Sequence, residues 1–171
     1  YIHERHSIIH RDLKTQNVFL TLDGAVKLGD FGVSRILESP SDFAKTCVGT
    51  PFYMCPELMR KQRYSNKADM WALGCIAYEL ATLRHAFDAR DMQGLAMKIV
   101  RGKYPPIASR FSRGLRVLID ELLRTSPQSR PSAADLLASP PMKAALLDLT
   151  PPHQSASRLP PSPPDGPPKR L

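Results

Sequence analysis

The chain has 171 residues, of which 42% are hydrophobic and 23% are charged. These are globular proportions, and the length suits one domain of ordinary size with a sizeable core. The formal net charge of +8 favours anionic partners such as phosphates, nucleic acid or anionic lipid. Lys and Arg are scattered instead of forming a basic stripe, so we expect a solvated basic surface, with no membrane partner and nucleic-acid binding only as a minor alternative.

The cysteines and the apolar segments exclude several classes of protein. The three cysteines are an odd number without a CxxC pair, which argues against a disulfide framework or a zinc site and favours a reducing compartment. The longest apolar stretch, around residues 72–81, is interrupted by Glu79 and is too short to span a bilayer. No signal-peptide pattern opens the chain, so we expect a cytoplasmic protein.

In chain order, the first predicted element is a β-hairpin. Two β-type runs, Val18 to Leu20 and Ala25 to Leu28, flank the turn residues Asp23-Gly24. Residues 39–52 are rich in Ser, Pro, Gly and Thr and predict a long loop, which in a compact domain is usually functional. Residues 69–82 are apolar on nearly every side and predict a buried helix.

Three further helices are predicted downstream. Asp91 caps a helix that continues to about residue 100, and another runs over residues 112–123. Ser132 with Asp135 three residues later resembles a capping box, which opens a last helix through Leu137.

Composition changes sharply at Pro151. The last 21 residues contain eight prolines and almost no apolar bulk, so they cannot offset the entropy of ordering. We therefore predict a domain over residues 1–145 and a proline-rich disordered tail over residues 146–171. The sequence RLPPSPP at residues 158–164 satisfies a loose SH3-ligand pattern, which makes an SH3-type protein a candidate partner for the tail.

Three motifs carry the chemistry. Residues 10–17 read HRDLKTQN, the triplet Asp30-Phe31-Gly32 follows the predicted hairpin, and residues 49–57 read GTPFYMCPE. Either of the first two alone could be a surface turn or the end of a hairpin. Their order, the strand-turn-strand between them and the third motif argue against that interpretation and match the signature of protein kinases.

The resemblance covers about residues 1–138 and narrows to the NIMA-related serine/threonine kinases. The segments that carry it are HRDLKTQNVFLT at 10–21, VKLGDFGVSRIL at 26–37, FAKTCVGTPFYMCPEL at 43–58 and ALGCIAYELATLRHAF at 72–87. It implies an α+β, protein-kinase-like fold, with a mainly helical C-terminal lobe, a small β-hairpin at the cleft and the N-terminal lobe absent. The proline-rich tail lies outside the resemblance.

The resemblance implies ATP and Mg²⁺ as cofactors and protein Ser/Thr hydroxyls as acceptors. Asp12 would orient the acceptor hydroxyl, and Lys14 would lie against the γ-phosphate. Asn17 and Asp30 resemble magnesium ligands, since both offer the hard oxygens that this ion requires. Thr50, together with Lys14, is typical of serine/threonine kinases.

The resemblance also implies regulatory and architectural roles. Thr46 is the expected activating phosphorylation site, with Ser41 as the alternative, because Arg11 offers a cation for the phosphate. Asp69 resembles a buried aspartate that accepts backbone hydrogen bonds from the catalytic loop, and Arg130 resembles the ionic partner of Glu57. The residues expected to pack and align the site are His10, Phe31 and Gly32.

Two kinase elements have no counterpart in the sequence. None of the nine glycines belongs to a GxGxxG pattern, and there is no Val-Ala-Ile-Lys strand. We therefore expect a fragment that is nearly inactive alone and phosphorylates protein Ser/Thr within a full-length parent. The alternative is a truncated, non-catalytic lobe that acts as a scaffold. Kinship with the NIMA-related kinases implies association with the cytoskeleton or cilia.

Overall fold

The computed structural model describes residues 1–31, 52–63 and 65–148. These residues are mostly helical, with one two-stranded antiparallel sheet, which agrees with the predicted α+β composition. Among them, no helix is both long enough and apolar enough to cross a membrane. The predicted loop 39–52, except for Phe52, and the predicted tail from residue 149 onward lie outside the described residues.

The N-terminal part of the chain leads into the predicted hairpin. A short helix, α1 (Ile2–Arg5), and a 3₁₀ turn (Thr15–Asn17) precede strand β1 (Val18–Leu20), which pairs with β2 (Val26–Leu28). In the turn, the Thr21 hydroxyl oxygen accepts a hydrogen bond of 2.9 Å from the backbone amide of Ala25. The hairpin prediction is confirmed, with β2 beginning one residue later than expected.

A buried helix forms the centre of the helical part. It follows α2 (Pro56–Met59) and is labelled α3 (Asn66–Thr82). Ser65 caps α3 by accepting from the amide of Lys67 at 3.3 Å, so the helix begins before the predicted Asp69. Leu83 ends it in the left-handed conformation, at φ 58°. The predicted burial is confirmed, because α3 has buried residues on nearly every side.

The next three helices each have a side-chain cap, of which those at Asp91 and Ser132 were predicted. They are α4 (Met92–Arg101), α5 (Arg113–Leu122) and α6 (Ala133–Ala138). Their caps are Asp91, Ser112 and Ser132, and the last forms a reciprocal capping box with Asp135. These bounds confirm all three helix predictions. Helix starts of this kind can be predicted because a capping pattern involves residues only three apart.

The last described helix, α7 (Pro140–Asp148), was not predicted. Its two prolines occupy the first turn, where a backbone N–H has no partner within the helix and proline is therefore tolerated. Good helix formers follow, including Ala144, Ala145 and Leu146. The helix therefore continues past the domain boundary that we expected at residue 145.

The core lies where α3 packs against α5 and the loops around them. Gly74 allows the close approach of these helices, because a Cβ placed there would lie 2.8 Å from the Cβ of Leu122. Trp71 stacks on Phe87 with ring centroids 5.2 Å apart. Other fully or almost fully buried side chains of this core are Cys75, Tyr78, Leu95, Ile99, Ile119 and Leu123. This core supports the loop that carries the first motif.

Candidate active site

The HRDLKTQN loop brings two of the predicted functional residues, Lys14 and Asn17, into contact with the carboxylate of a third, Asp12. Lys14 donates from Nζ to Oδ2 of Asp12 at 2.6 Å. The Nδ2 of Asn17 donates to the same oxygen at 3.1 Å and to the backbone carbonyl of Asp12 at 2.8 Å. The side chains of Asp12 and Lys14 remain about one-third exposed, at 32% and 34%. A partly exposed carboxylate oriented by two donors can accept a hydrogen bond from a hydroxyl that approaches from solvent.

The hairpin places Asp30 next to this loop. The amide of Gly29 donates to the carbonyl of Asn17 at 2.9 Å, which ties the end of β2 to the start of β1. Gly29 has no room for a side chain, because a Cβ would lie 2.5 Å from the Phe19 ring. Asp30 has a left-handed backbone, at φ 58°, and is exposed. This conformation is uncommon for a residue other than glycine and is frequent at functional sites.

His10 and Phe31 pack together behind the loop. His10 is fully buried, and its Nε2 is 3.1 Å from the carbonyl oxygen of Gly29. Since a carbonyl only accepts, Nε2 is the protonated nitrogen in this contact. The ring of Phe31 lies 4.7 Å from that of His10, centroid to centroid. These contacts support the alignment role that the resemblance implied for both residues.

Asp69 of α3 accepts hydrogen bonds from the backbone of the HRDLKTQN loop. Its carboxylate accepts from the amides of His10 at 2.8 Å and Arg11 at 3.0 Å, as expected. A third contact, 2.8 Å from Nε2 of His3, was not predicted. Burial raises the pKa of Asp69, but the hydrogen bonds from His3 and the two amides outweigh it and hold the pKa below its ordinary value.

The expected ion pair between Glu57 and Arg130 is present and fully buried. Arg130 donates from Nη1 and Nη2 to the two carboxylate oxygens of Glu57 at 2.9 and 3.1 Å. The guanidinium also donates to the backbone carbonyls of Lys67 and Arg124 and lies 5.1 Å from the centre of the Trp71 ring. Through these contacts Arg130 connects its own segment with α2, α3 and the segment that contains Arg124.

A series of polar side chains in contact with one another, which was not predicted, leads away from the HRDLKTQN loop. The hydroxyls of Thr15 and Tyr53 are 2.9 Å apart, and Tyr53 donates to Oε2 of Glu79 at 2.5 Å. Nδ1 of His85 lies 3.6 Å from the same oxygen, and its ring stacks on Phe52 with centroids 3.9 Å apart. Burial, together with the bond to Glu79, raises the pKa of Tyr53 to about 12.

One signal in the sequence pointed to this series of polar side chains. Glu79 is the one charged residue in the apolar stretch of residues 72–81, and a lone acid in such a stretch needs polar partners. The partners themselves could not be read from the sequence, because Tyr53 and Glu79 are separated by 26 positions.

Three predicted site residues lie outside the described residues: Gly32, Thr46 and Thr50. Cys55, in the GTPFYMCPE motif, is buried, and burial raises the pKa of its thiol. A buried thiol with a raised pKa is a packing residue and a poor nucleophile.

The donor set of Asn17 and Asp30 fits a magnesium ion. Because Nδ2 of Asn17 is bonded to Asp12, the amide oxygen remains as the ligand atom, and Asp30 adds a carboxylate. Within the described ranges, no group of three or more His, Cys, Asp or Glu could hold a metal alone. Proteins usually bind Mg²⁺ through one or two such ligands together with substrate phosphates and water.

Comparison with known proteins identifies the family of the chain. Residues 1–142 match the protein kinase domain family, and the chain therefore belongs to that family. Within it, the relatives are NIMA-related kinases, as the motifs predicted. The chain is 49% identical over 137 residues to the mouse serine/threonine-protein kinase Nek1 and 50% identical over 143 residues to mouse Nek4. It is 49% identical over 144 residues to the probable serine/threonine-protein kinase nek3 of Dictyostelium discoideum.

These three alignments cover 80%, 84% and 82% of this chain but only 11%, 18% and 13% of the respective relatives. The chain thus spans less than a fifth of the length of each of the three.

Proposed function

We propose that this chain carries the phosphoryl-transfer site of a protein serine/threonine kinase, which moves the γ-phosphate of ATP to Ser and Thr hydroxyls of proteins. The observation that carries the proposal is the convergence of Lys14 and Asn17 on one carboxylate oxygen of Asp12. Relatives named as serine/threonine-protein kinases support the reaction class.

Each residue has a distinct task in this reaction. Asp12 accepts a hydrogen bond from the acceptor hydroxyl and directs its oxygen toward the phosphorus. Lys14, held beside Asp12, supplies positive charge where the equatorial phosphate oxygens gather negative charge. Asn17 and Asp30 are the residues that would hold magnesium, which neutralises the phosphate oxygens when it is bound.

The intact site favours a kinase over a non-catalytic scaffold. A scaffold has no need for Asp12, Lys14 and Asn17 in hydrogen-bonding contact, nor for an aspartate held in a left-handed conformation at the end of the hairpin. No described contact favours the scaffold specifically.

The test is phosphate transfer from Mg²⁺-ATP to casein by the full-length protein that carries this chain. Asp12→Asn should lower kcat by about 10²–10⁴-fold, the usual contribution of a positioned base. Asp23→Asn, in the exposed hairpin turn, is the matched control and should retain activity. Equal rates for Asp12→Asn and the unmodified protein would refute the proposal.

We also propose that residues 1–145 are the larger, C-terminal lobe of the kinase. The hairpin supports this, because its apolar side chains Phe19, Leu20 and Val26 are 54%, 72% and 62% exposed. Exposed apolar surface of this kind, next to a catalytic loop, is typical of a face that another part of a protein covers.

The lobe assignment predicts that the 171-residue chain alone has almost no activity. The sequence has no Gly-rich loop and no strand lysine to hold ATP phosphates. Casein phosphorylation by the isolated chain, abolished by Asp12→Asn, would contradict the lobe assignment while leaving the kinase proposal intact.

We propose Thr46 as the activating phosphorylation site. Its support is its position four residues before Thr50 and the presence of Arg11 beside Asp12. In the full-length protein, Thr46→Ala should greatly reduce activity, whereas Ser41→Ala should not. The reverse result would move the site to Ser41.

A further inference from the structure

A cavity bordered by basic side chains lies beyond the end of α3, away from the catalytic loop. We call it the basic cleft. Its volume is about 420 Å³. The residues that line it are Arg84, His85, Ala86, Asp88, Lys98, Lys103 and Pro105.

Among the described residues, the cations of the cleft form no salt bridge. In the part of the chain that the structure describes, no carboxylate lies within 4.0 Å of the charged groups of Arg84, Lys98 or Lys103. Lys98 donates from Nζ to a backbone carbonyl, that of Asp88, and not to its carboxylate. The cleft therefore has three permanent positive charges and a single acid on its walls.

The walls of the cleft are held in place by the fold. The Thr82 hydroxyl oxygen accepts from the Arg84 amide at 3.3 Å, and the hydroxyl lies 3.1 Å from the Arg84 carbonyl. His85 is fixed by its stack on Phe52 and by its contact with Glu79. Because the backbone that carries these side chains is already ordered, a ligand would not have to order it on binding.

We propose that the basic cleft binds an acidic segment of a protein partner through the anionic oxygens of that segment. A phosphate or carboxylate could accept charge-assisted hydrogen bonds from Arg84, Lys98 and Lys103 together. The cations surround one cavity instead of forming a stripe, so they match a single anionic side chain better than the repeating phosphates of a nucleic acid. This binding does not involve Asp12, Lys14 or Asn17 and is distinct from phosphoryl transfer.

The test is binding of a short fluorescein-labelled peptide, with one phosphoserine among glutamates, to the full chain without nucleotide at about 0.15 M salt. Lys98→Glu/Lys103→Glu should weaken binding by about tenfold or more, since two charged contacts become repulsive. The control Lys143→Glu, an exposed lysine of α7, makes one such charge reversal elsewhere. It should alter binding by less than about twofold, because distant charges are screened.

Further arms separate the sources of the anion. The unphosphorylated peptide, a lysine-containing peptide, inorganic phosphate and a single-stranded RNA are used as competitors. The unphosphorylated peptide, which keeps its glutamates, should compete, and the lysine peptide should not. Thermal unfolding checks that each variant is folded, and Lys98→Gln/Lys103→Gln provides a milder change with an intermediate loss of affinity.

The proposal is overturned if Lys143→Glu weakens binding as much as the cleft variants do, or if the cleft variants bind like the unmodified chain. Stronger competition by RNA than by the peptide, or by inorganic phosphate at the same concentration, would overturn it in favour of a nucleic-acid or simple anion site. Because no phosphoryl transfer is measured, the result is independent of the kinase proposal.

Discussion

Replacing Arg130 by Met tests the buried ion pair. The change leaves the Glu57 carboxylate, of which 1% is exposed, without its cation and its two hydrogen bonds. The carbonyls of Lys67 and Arg124 also lose a donor. Breaking a buried pair in this way typically costs about 3–5 kcal/mol in unfolding free energy. For a domain of this size, that corresponds to a fall in Tm of about 6–20 °C.

The assay is denaturant and thermal unfolding of the full chain, with a double-mutant cycle. Arg124→Met is the control, because its exposed contacts, a pair with Glu121 and a hydrogen bond to the Ser129 carbonyl, should together contribute less than about 2 kcal/mol. Glu57→Leu combined with Arg130→Met should be about 2 kcal/mol more stable than the sum of the single losses, since no unpaired charge remains buried. A loss below about 1 kcal/mol for Arg130→Met, or additivity within about 0.5 kcal/mol, would refute the reasoning.

Three further predictions concern stability. Gly74→Ala should lower the free energy of unfolding by about 1–3 kcal/mol, since its Cβ would lie 2.8 Å from Leu122. Gly114→Ala, with no atom nearer to its Cβ than 3.8 Å, should raise it by up to about 1 kcal/mol. The Tm values of the two variants should therefore move in opposite directions. Because the pKa of Asp69 is lowered on folding, its contribution to stability is present above about pH 4 and is lost as pH falls. Urea midpoints of the unmodified chain should therefore fall more steeply below about pH 4 than those of Asp69→Asn. The pKa of Tyr53 is raised on folding to about 12, so its contribution is lost as pH rises above about 10, and urea midpoints of Tyr53→Phe should depend less on alkaline pH. Parallel pH curves for a variant and the unmodified chain would contradict the corresponding assignment.

The elements that were predicted correctly depend on short stretches of sequence. The Ser132 cap needs only Asp135 three residues later, and the hairpin needs only a turn between two β-type runs. The three residues Asp12, Lys14 and Asn17, to which the kinase resemblance gave roles, also fall within six residues of one loop, although their contacts with one another were not predicted. Local patterns of this kind can be read from a single sequence.

The contacts that were missed join distant parts of the chain. His3 and Asp69 are separated by 66 positions, and the hydroxyls of Thr15 and Tyr53 belong to residues 38 positions apart. No local pattern specifies such contacts, because they arise only when α3 packs beneath both the catalytic loop and the segment that begins at Phe52. Helix α7 was missed for another reason: prolines that predict a loop in most positions are tolerated in the first turn of a helix.

The ion pair between Glu57 and Arg130 has a consequence for the order of events during synthesis. The two residues are 73 positions apart, so at usual rates of translation Arg130 is added about 4–15 s after Glu57. Until then the Glu57 carboxylate is better solvated by water than buried, and α2 has no cation to dock against. The catalytic loop is thus translated first, but the buried ion pair can form only after Arg130 has been added.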